Sequence, residues 1–201
     1  MNALEATLRR IPRDMKRVDA SWALIGGFAV SAYAGGRATA DIDLAVAIES
    51  NREVDRIVFG LTQLGYEVGP LLEDVETGLT STVRMFSPEH EGRRVLTDLL
   101  VSTSGIESEV VAAATVRQVR PGFRLPIASL GHLIALKILS ESDSRLQDRI
   151  DLRNMLSISM PADVDLAAAA VALIAERGRA RGKDLHRTLQ RYIALANNPD
   201  N

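Results

Sequence analysis

The chain has 201 residues, enough for one ordinary domain or a domain with a helical appendage, and enough to bury a core without disulfide or metal staples. Its 46% apolar and 25% charged residues exclude a disordered chain, and its net charge of −2 lacks the basic surplus of a general electrostatic nucleic-acid binder. Without cysteine, disulfide frameworks, thiolate zinc sites and thiol nucleophiles are excluded together.

The absence of thiols agrees with a reducing compartment, and no apolar run reaches the length of a bilayer span. The opening residues lack the charged-then-apolar order of a signal peptide. A cytoplasmic protein with no membrane partner is expected. Only 4% of residues are aromatic, so platforms for stacking single-stranded bases are sparse.

Leu4, Leu8, Ile11 and Met15 recur at helical spacing and predict an amphipathic helix over 3–19, kinked or split at Pro12. Residues 22–25 form a short apolar run that stops at Gly26-Gly27, as a buried strand entering a tight turn does. A short helix over 28–34 follows, ended by Gly35-Gly36. Residues 41–48 read as a central strand, continuously apolar in its later part. Ser50 or Asn51 caps a helix to about residue 64, which Gly65 terminates. Strands are predicted over 66–68, 80–86 and 93–101, the last two joined as a hairpin by the turn-rich segment 87–92.

One or two helical turns over 107–114 precede a strand over 116–120. After the segment 121–126 only helices are expected: 129–141, 145–156, 163–177 and 183–196, with Ser129 and Asp163 as caps and a frayed tail over 197–201. The fold class expected is α/β (α+β). A small mixed twisted sheet with flanking helices occupies 1–125, a helical part packed on it occupies 126–201, and the active cleft lies between them.

The chemistry concentrates between residues 26 and 43. Asp41 and Asp43, two residues apart in a strand, point to one face. Side by side they repel, unless they are solvated, one is protonated, or a cation lies between them. Oxygen ligands at this spacing suit Mg²⁺, which takes a few carboxylates and completes its shell with water and phosphate. Gly26-Gly27 precedes a helix, whose free N–H groups and dipole attract an anion, and a phosphate comes close where no β-carbon stands. A two-metal phosphoryl-transfer site needs a further carboxylate. Asp98 supplies one from an otherwise apolar strand, where propensity and burial both disfavour an acid. Singly, each feature has an ordinary reading: Asp-x-Asp as a solvated turn or cap, Gly-Gly as a turn, Asp98 as an edge residue facing water. In this order and together they point to a site.

The run Ile25-Gly26-Gly27, then Arg37-Ala-Thr39-Ala-Asp41-Ile-Asp43-Leu, then the single Asp98, resembles the nucleotidyltransferase superfamily that includes DNA polymerase beta. Within it the run resembles the AbiEii-type branch (abortive infection, type IV toxin), with its Gly-Gly start and Arg-x-Thr-x-Asp-x-Asp-Leu pattern. The likeness continues through 129–137, where relatives end a helix in Leu-Ile-x-x-Lys, and through 145–152, where relatives show Arg-x-x-Lys-Asp-x-x-Asp-Leu. Gln147 replaces a common Lys there, and His132 replaces a common acid.

The resemblance implies transfer of a nucleoside monophosphate from an NTP, ATP among them, to an acceptor, with two Mg²⁺ ions. It implies Asp41 and Asp43 as shared metal ligands, and Asp98 as the holder of the catalytic metal that also helps the acceptor hydroxyl lose its proton. The acceptor is open: an RNA end, a protein, or a small hydroxylated molecule such as an aminoglycoside. An RNA acceptor suits a growth-inhibiting toxin with an antitoxin partner. The alternative is a non-catalytic module that binds nucleotide or a protein partner.

Around these acids, Gly26 and Gly27 are the expected phosphate cradle, Arg37 a phosphate ligand and Thr39 a residue that fixes the loop. Lys137, in an apolar helix, reads equally as a triphosphate contact or as a snorkelling side chain. Arg145 reads as a phosphate contact or as a partner of Asp148. Asp148 and Asp151 read as a solvated, ion-paired helix face with a positioning role open. The cations from Arg177 to Lys183 read as complements to a helix C-terminus, with an RNA backbone as the alternative partner. His90, His132 and His186 share no ligand spacing and read as surface or helix residues.

Overall fold

The computed structural model describes residues 2–35, 39–73, 80–120, 122–142 and 145–197. The first helix, α1 (Ala3–Arg17), turns Leu8, Ile11 and Met15 inward and runs past Pro12 without a break. The split expected there does not occur. The proline forfeits one N–H, whereas each of the three buried apolar side chains contributes about 1.5–3 kcal/mol. Asp14 on the same helix is fully buried; it accepts from Arg10 Nε at 2.6 Å and from the Tyr66 hydroxyl at 3.2 Å, tying α1 to the start of the next strand hairpin.

The strand β1 (Ser21–Ile25) leads directly into α2 (Gly26–Ala34). Both glycines therefore lie in the first turn of the helix rather than in a separate turn before it. There follow β2 (Ile42–Ala47), α3 (Asn51–Gln63), β3 (Glu67–Glu73), β4 (Thr80–Phe86), β5 (Leu96–Leu100), α4 (Glu107–Ala112), β6 (Thr115–Arg120) and β7 (Phe123–Ile127). Four helices complete the chain: α5 (Leu130–Ser140), α6 (Leu146–Ser157), α7 (Pro161–Glu176) and α8 (Leu185–Asn197). Of the segment 197–201, expected to fray, residues 198–201 lie outside the described residues.

The strands form one mixed sheet in the order β3-β4-β5-β2-β1-β7-β6. β2 pairs antiparallel with β1 and parallel with β5, and β4 joins β5 antiparallel. β7 differs from the expectation, in which the segment 121–126 carries no strand and only helices follow it. It runs parallel to β1 through Leu24 and Ile127, and it spans the 125/126 boundary drawn from the sequence. Leu125 and Ile127 are fully buried, but prolines at 121 and 126 disguise their period-two pattern. Asp163 is also repositioned: Met160 is the N-cap of α7, and Asp163 sits three residues on and accepts from the Met160 N–H at 3.0 Å. Ser129 caps α5 as expected. Among the described residues, no helix is long and apolar enough to cross a membrane.

Alternation separates the two faces of the sheet. Ile42, Leu44 and Val46 of β2, Val83 and Met85 of β4, and Leu99 of β5 are almost wholly buried on one face. Asp43, Arg84 and Asp98 belong to the other. The helical half depends on the close approach of α5 and α7 at Gly131. A β-carbon there would fall 2.6 Å from the Asp163 carbonyl oxygen and 2.8 Å from Leu166 Cβ. Gly131→Ala is therefore expected to force these helices apart at a cost of about 1–3 kcal/mol. At this size each kcal/mol lowers the melting temperature by about 2–4 °C. An unchanged melting temperature in thermal denaturation would show that the helices do not meet as described.

Candidate active site

The acids are brought together by strand register. Ile25 on β1 pairs with Asp43 on β2, Asp43 pairs with Asp98 on β5, and Asp98 pairs with Arg84 on β4. Residues paired across adjacent strands project to the same face, so Asp43, Asp98 and Arg84 form one lateral row. Asp41 precedes β2 and is exposed, two residues before Asp43. Asp98 is not an edge residue: β5 lies inside the sheet and the side chain is mostly covered.

Gly26 closes this row from above. Its backbone is left-handed, with φ of +64°, and a β-carbon there would fall 1.9 Å from Asp43 Oδ2. The Asp43 carboxylate thus lies against the first turn of α2, whose N-cap, Ile25, offers no side-chain hydrogen bond. A helix N-terminus favours an anion by its unpaired N–H groups and its dipole, which offsets part of the charge on Asp43. Gly27 follows in the same turn and is buried.

A cleft of about 210 Å³ opens beside Gly26 and Asp43. Its far wall comes from the helical half: Lys137 and Ser140 on α5, Arg145 and Asp148 at the start of α6, and Arg181 between α7 and α8. Gly26, Asp43, Lys137, Arg145 and Asp148, all singled out from the sequence, therefore face one cavity, as does Arg181 of the basic run. Thr39 does not line it; its hydroxyl donates to the Asp41 carbonyl at 3.4 Å, and it lines a separate hollow with His90, Arg93 and Arg94. Arg37 lies outside the described residues.

Lys137 is not a snorkelling side chain. Its ammonium donates to Asp148 Oδ1 at 2.5 Å and lies 3.1 Å from Asp151 Oδ2, with only 14% of the side chain exposed. Ser140 donates to the other Asp148 oxygen at 3.0 Å, and Gln147 donates to Asp151 at 3.0 Å. Asp148 and Asp151 are buried, not the solvated face expected, because α6 packs that face toward α5 and Lys137 reaches between them. Arg145, largely exposed at the N-cap of α6, lies 3.8 Å from Asp148.

The basic run at 177–183 serves the cleft wall. Arg177 pairs with Glu109 at 2.6 Å and donates to the Gly105 carbonyl, Arg179 donates to Ser102 Oγ at 3.2 Å, and Arg181 donates to the Thr103 carbonyl at 3.1 Å. These side chains clamp the β5–α4 loop, which carries Thr103 and Ser104 into the cleft. Lys183 donates to the Leu139 and Glu141 carbonyls at the end of α5, the helix-terminus contact expected of this cluster. Burial lowers the pKa of Lys183. His132 is a helix residue, buried on α5 against Ser129 Oγ at 2.9 Å, and burial lowers its pKa.

Arg181, read from the sequence only as part of the basic run, has a left-handed backbone at φ of 55° and faces the cleft beside Arg145 and Lys137. One residue, Arg84, escaped the sequence reading. Arg84 binds Asp98 with both ends of its guanidinium, Nε to Oδ1 at 3.1 Å and Nη2 to Oδ2 at 2.9 Å. Asp98 raises the pKa of Arg84 through that pairing, and Asp41 and Asp43 add to the effect. Nothing in its own strand marks Arg84; the pairing emerges only from the register of β4 with β5.

The donor set has the chemistry of a hard divalent cation, with carboxylate oxygens at adjacent register positions and no sulfur or imidazole. Among the described residues, no three His, Cys, Asp or Glu side chains are already gathered as a metal cage. Both Asp98 oxygens are turned toward Arg84. Mg²⁺ is usually held by one or two protein carboxylates plus substrate phosphates, which this row fits.

The contact between Gly26 and Asp43 can be measured as a coupling. Gly26→Ala is expected to destabilise the protein by about 1–2 kcal/mol for the left-handed backbone, plus the cost of displacing Asp43. In an Asp43→Gly background only the backbone part should remain. Equal losses in both backgrounds, by chemical denaturation, would show that Asp43 does not lie against Gly26.

The family model described as "Nucleotidyl transferase AbiEii toxin, Type IV TA system" matches residues 13–199. No curated protein matches the chain. Among solved structures, the chain is similar to an antigenic nucleotidyltransferase-like protein from Paracoccidioides brasiliensis, with a TM-score of 0.56 and 20% identity over 94% of this chain and 92% of that one. It also matches the antibiotic-resistance factor ANT(2'')-Ia, with a TM-score of 0.49 and 18% identity over 98% and 97% of the two chains. A lincomycin-bound lincosamide antibiotic adenylyltransferase, LnuA, matches with a TM-score of 0.46 and 16% identity over 79% and 100%. The first of these shares the fold. A family match running nearly from end to end, on a chain whose register lines Asp43 up with Asp98 beneath a helix-opening glycine, makes this chain a member of the AbiEii nucleotidyl transferase family.

Proposed function

We propose that the chain moves a nucleoside monophosphate from an NTP to an acceptor hydroxyl on RNA, protein or a small molecule. The observation that carries this reading is the register pair Asp43–Asp98 lying under Gly26 and beside a cleft with cationic side chains on its far wall. In such a reaction the acceptor oxygen bonds to the α-phosphorus, the bond from that phosphorus to the bridging oxygen breaks, and pyrophosphate leaves. The work of the protein is positioning and charge stabilisation, so it needs acids, glycines and cations but no nucleophilic side chain.

Asp41, Asp43 and Asp98 are the residues that would hold Mg²⁺, which when bound neutralises charge on the reacting phosphate oxygens. The first turn of α2, at Gly26 and Gly27, receives phosphate oxygens on backbone N–H groups. Arg145 and Arg181 face the triphosphate across the cleft. Lys137 is held by Asp148 and Asp151, whose two carboxylates outweigh its single charge, so its part is to fix α6 against α5 and thereby the place of Arg145. Asp98 accepts the proton of the attacking hydroxyl. The family name supports a toxin role, in which an antitoxin protein restrains this activity.

The test is incubation with labelled NTPs, Mg²⁺ and a pool of RNA, protein and small-molecule acceptors. Asp43→Asn removes one ligand charge with little change in volume. It is expected to lower transfer at least a hundredfold, within the range for loss of one transition-state stabilising group, while the melting temperature is kept. Chelation of the metal should abolish transfer in the wild type. Transfer retained by Asp43→Asn would overturn the assignment. Nucleotide binding without turnover would select the non-catalytic module instead.

A further inference from the structure

β4 brings to the acids a cation that belongs to none of the recognised motifs. We propose that Arg84 is a positioning residue that serves as the built-in counter-ion of Asp98 and must release it when a divalent cation binds. The inference rests on the reading of Asp41, Asp43 and Asp98 as the metal-holding acids.

Four observations converge on it. Arg84 and Asp98 are direct register partners on neighbouring strands, so the pairing is imposed by the sheet and not by a chance surface encounter. Both guanidinium contacts are at hydrogen-bond distance and use one oxygen each, which commits both Asp98 oxygens at once. The Arg84 side chain is 38% exposed against 14% for Asp98, so the arginine is the partner free to turn into solvent. Gly69 on β3 flanks the arginine stem; a β-carbon there would fall 3.2 Å from Arg84 Cγ, so a larger residue would press on the stem.

The physical role follows from charge. Asp43 and Asp98 are forced side by side, and two carboxylates at adjacent positions repel unless a cation intervenes. Arg84 supplies that cation within the chain. It orients Asp98 and balances its charge, and it competes with any metal for the same oxygens. Release of Asp98 gives the metal its ligand.

Competition is read by Mn²⁺ binding without nucleotide, from the free-ion signal in electron paramagnetic resonance. Arg84→Gln is expected to tighten Mn²⁺ binding about fivefold, the equivalent of the ~1 kcal/mol reached by a good partly exposed ion pair. Arg84→Lys, a point charge without the fork, should fall between the two. In an Asp98→Asn background, Arg84→Gln should change nothing. An Arg84→Gln variant that keeps its melting temperature and binds Mn²⁺ no more tightly than the wild type overturns the proposal. Asp43→Asn separates this from failure of the metal reading. If it abolishes Mn²⁺ binding while Arg84→Gln has no effect, only the role of Arg84 falls. If Mn²⁺ binding is indifferent to Asp43→Asn, with or without nucleotide, the metal reading falls and takes the proposal with it.

Discussion

Everything at the candidate site follows from two carboxylates held one strand apart by parallel pairing. The register of β2 and β5 sets Asp43 beside Asp98, and strands lie about 4.8 Å apart. At that spacing two unit charges repel by roughly 3 kcal/mol at an effective dielectric of ~20. A sheet does not keep such a pair without compensation. Here compensation comes from both sides: the first turn of α2 lies over Asp43, and Arg84 grips Asp98. The absence of a side chain at Gly26 is part of the same arrangement, because only there does the helix start come close enough to matter. An acid pair that costs stability and is balanced locally is the arrangement on which the proposed cation site rests.

The helical half solves a different problem. Lys137, Asp148 and Asp151 are nearly buried, with Ser140 and Gln147 supplying further hydrogen bonds. Desolvating three charges consumes most of what their attraction returns, so the network adds little to net stability. What it does add is geometry: the lysine can satisfy both carboxylates only when α6 meets α5 in one register. That register sets Arg145, at the start of α6, on the rim of the cleft. Removing one member would leave an uncompensated buried charge, which is far more costly than replacing the whole network with apolar residues.

The fold was legible where pattern and punctuation agree. The strands from β1 to β5 and the four C-terminal helices follow from apolar periodicity, glycine stops and caps, and their boundaries moved by only a few residues, except that β3 runs on to Glu73, well past the short strand expected over 66–68. β7 was not legible, because Pro121 and Pro126 bracket a short alternation and suggest a linker, while its partner β1 lies about a hundred residues earlier in the chain. The acids were legible as residues, since carboxylates in apolar strands demand a reason. Their relation to one another was not, because register between β2 and β5 is set by tertiary pairing. Arg84 illustrates the difference: nothing in its own strand marks it until β5 is laid alongside. Burial of Asp148 and Asp151 was equally hidden, as spacing on a helix says which residues share a face but not what covers it.

The basic run at 177–183 shows why charge clusters need structure before they are given ligands. Three arginines at alternate positions suggest a polyanion, yet each donates to the β5–α4 loop. That loop follows directly from the strand bearing Asp98 and carries Thr103 and Ser104 to the cleft. Ser104 in turn is locked by Glu107, which accepts from both its N–H and its hydroxyl. Side chains from the end of α7 thus hold the loop that continues the central sheet, while Lys183 holds the end of α5, the helix of Lys137. The two walls of the cleft are fastened to each other by one segment of chain. Arg181 combines both duties, bonding the loop through its guanidinium while lining the cavity, so a phosphate that met it would also meet the clamp joining the two halves.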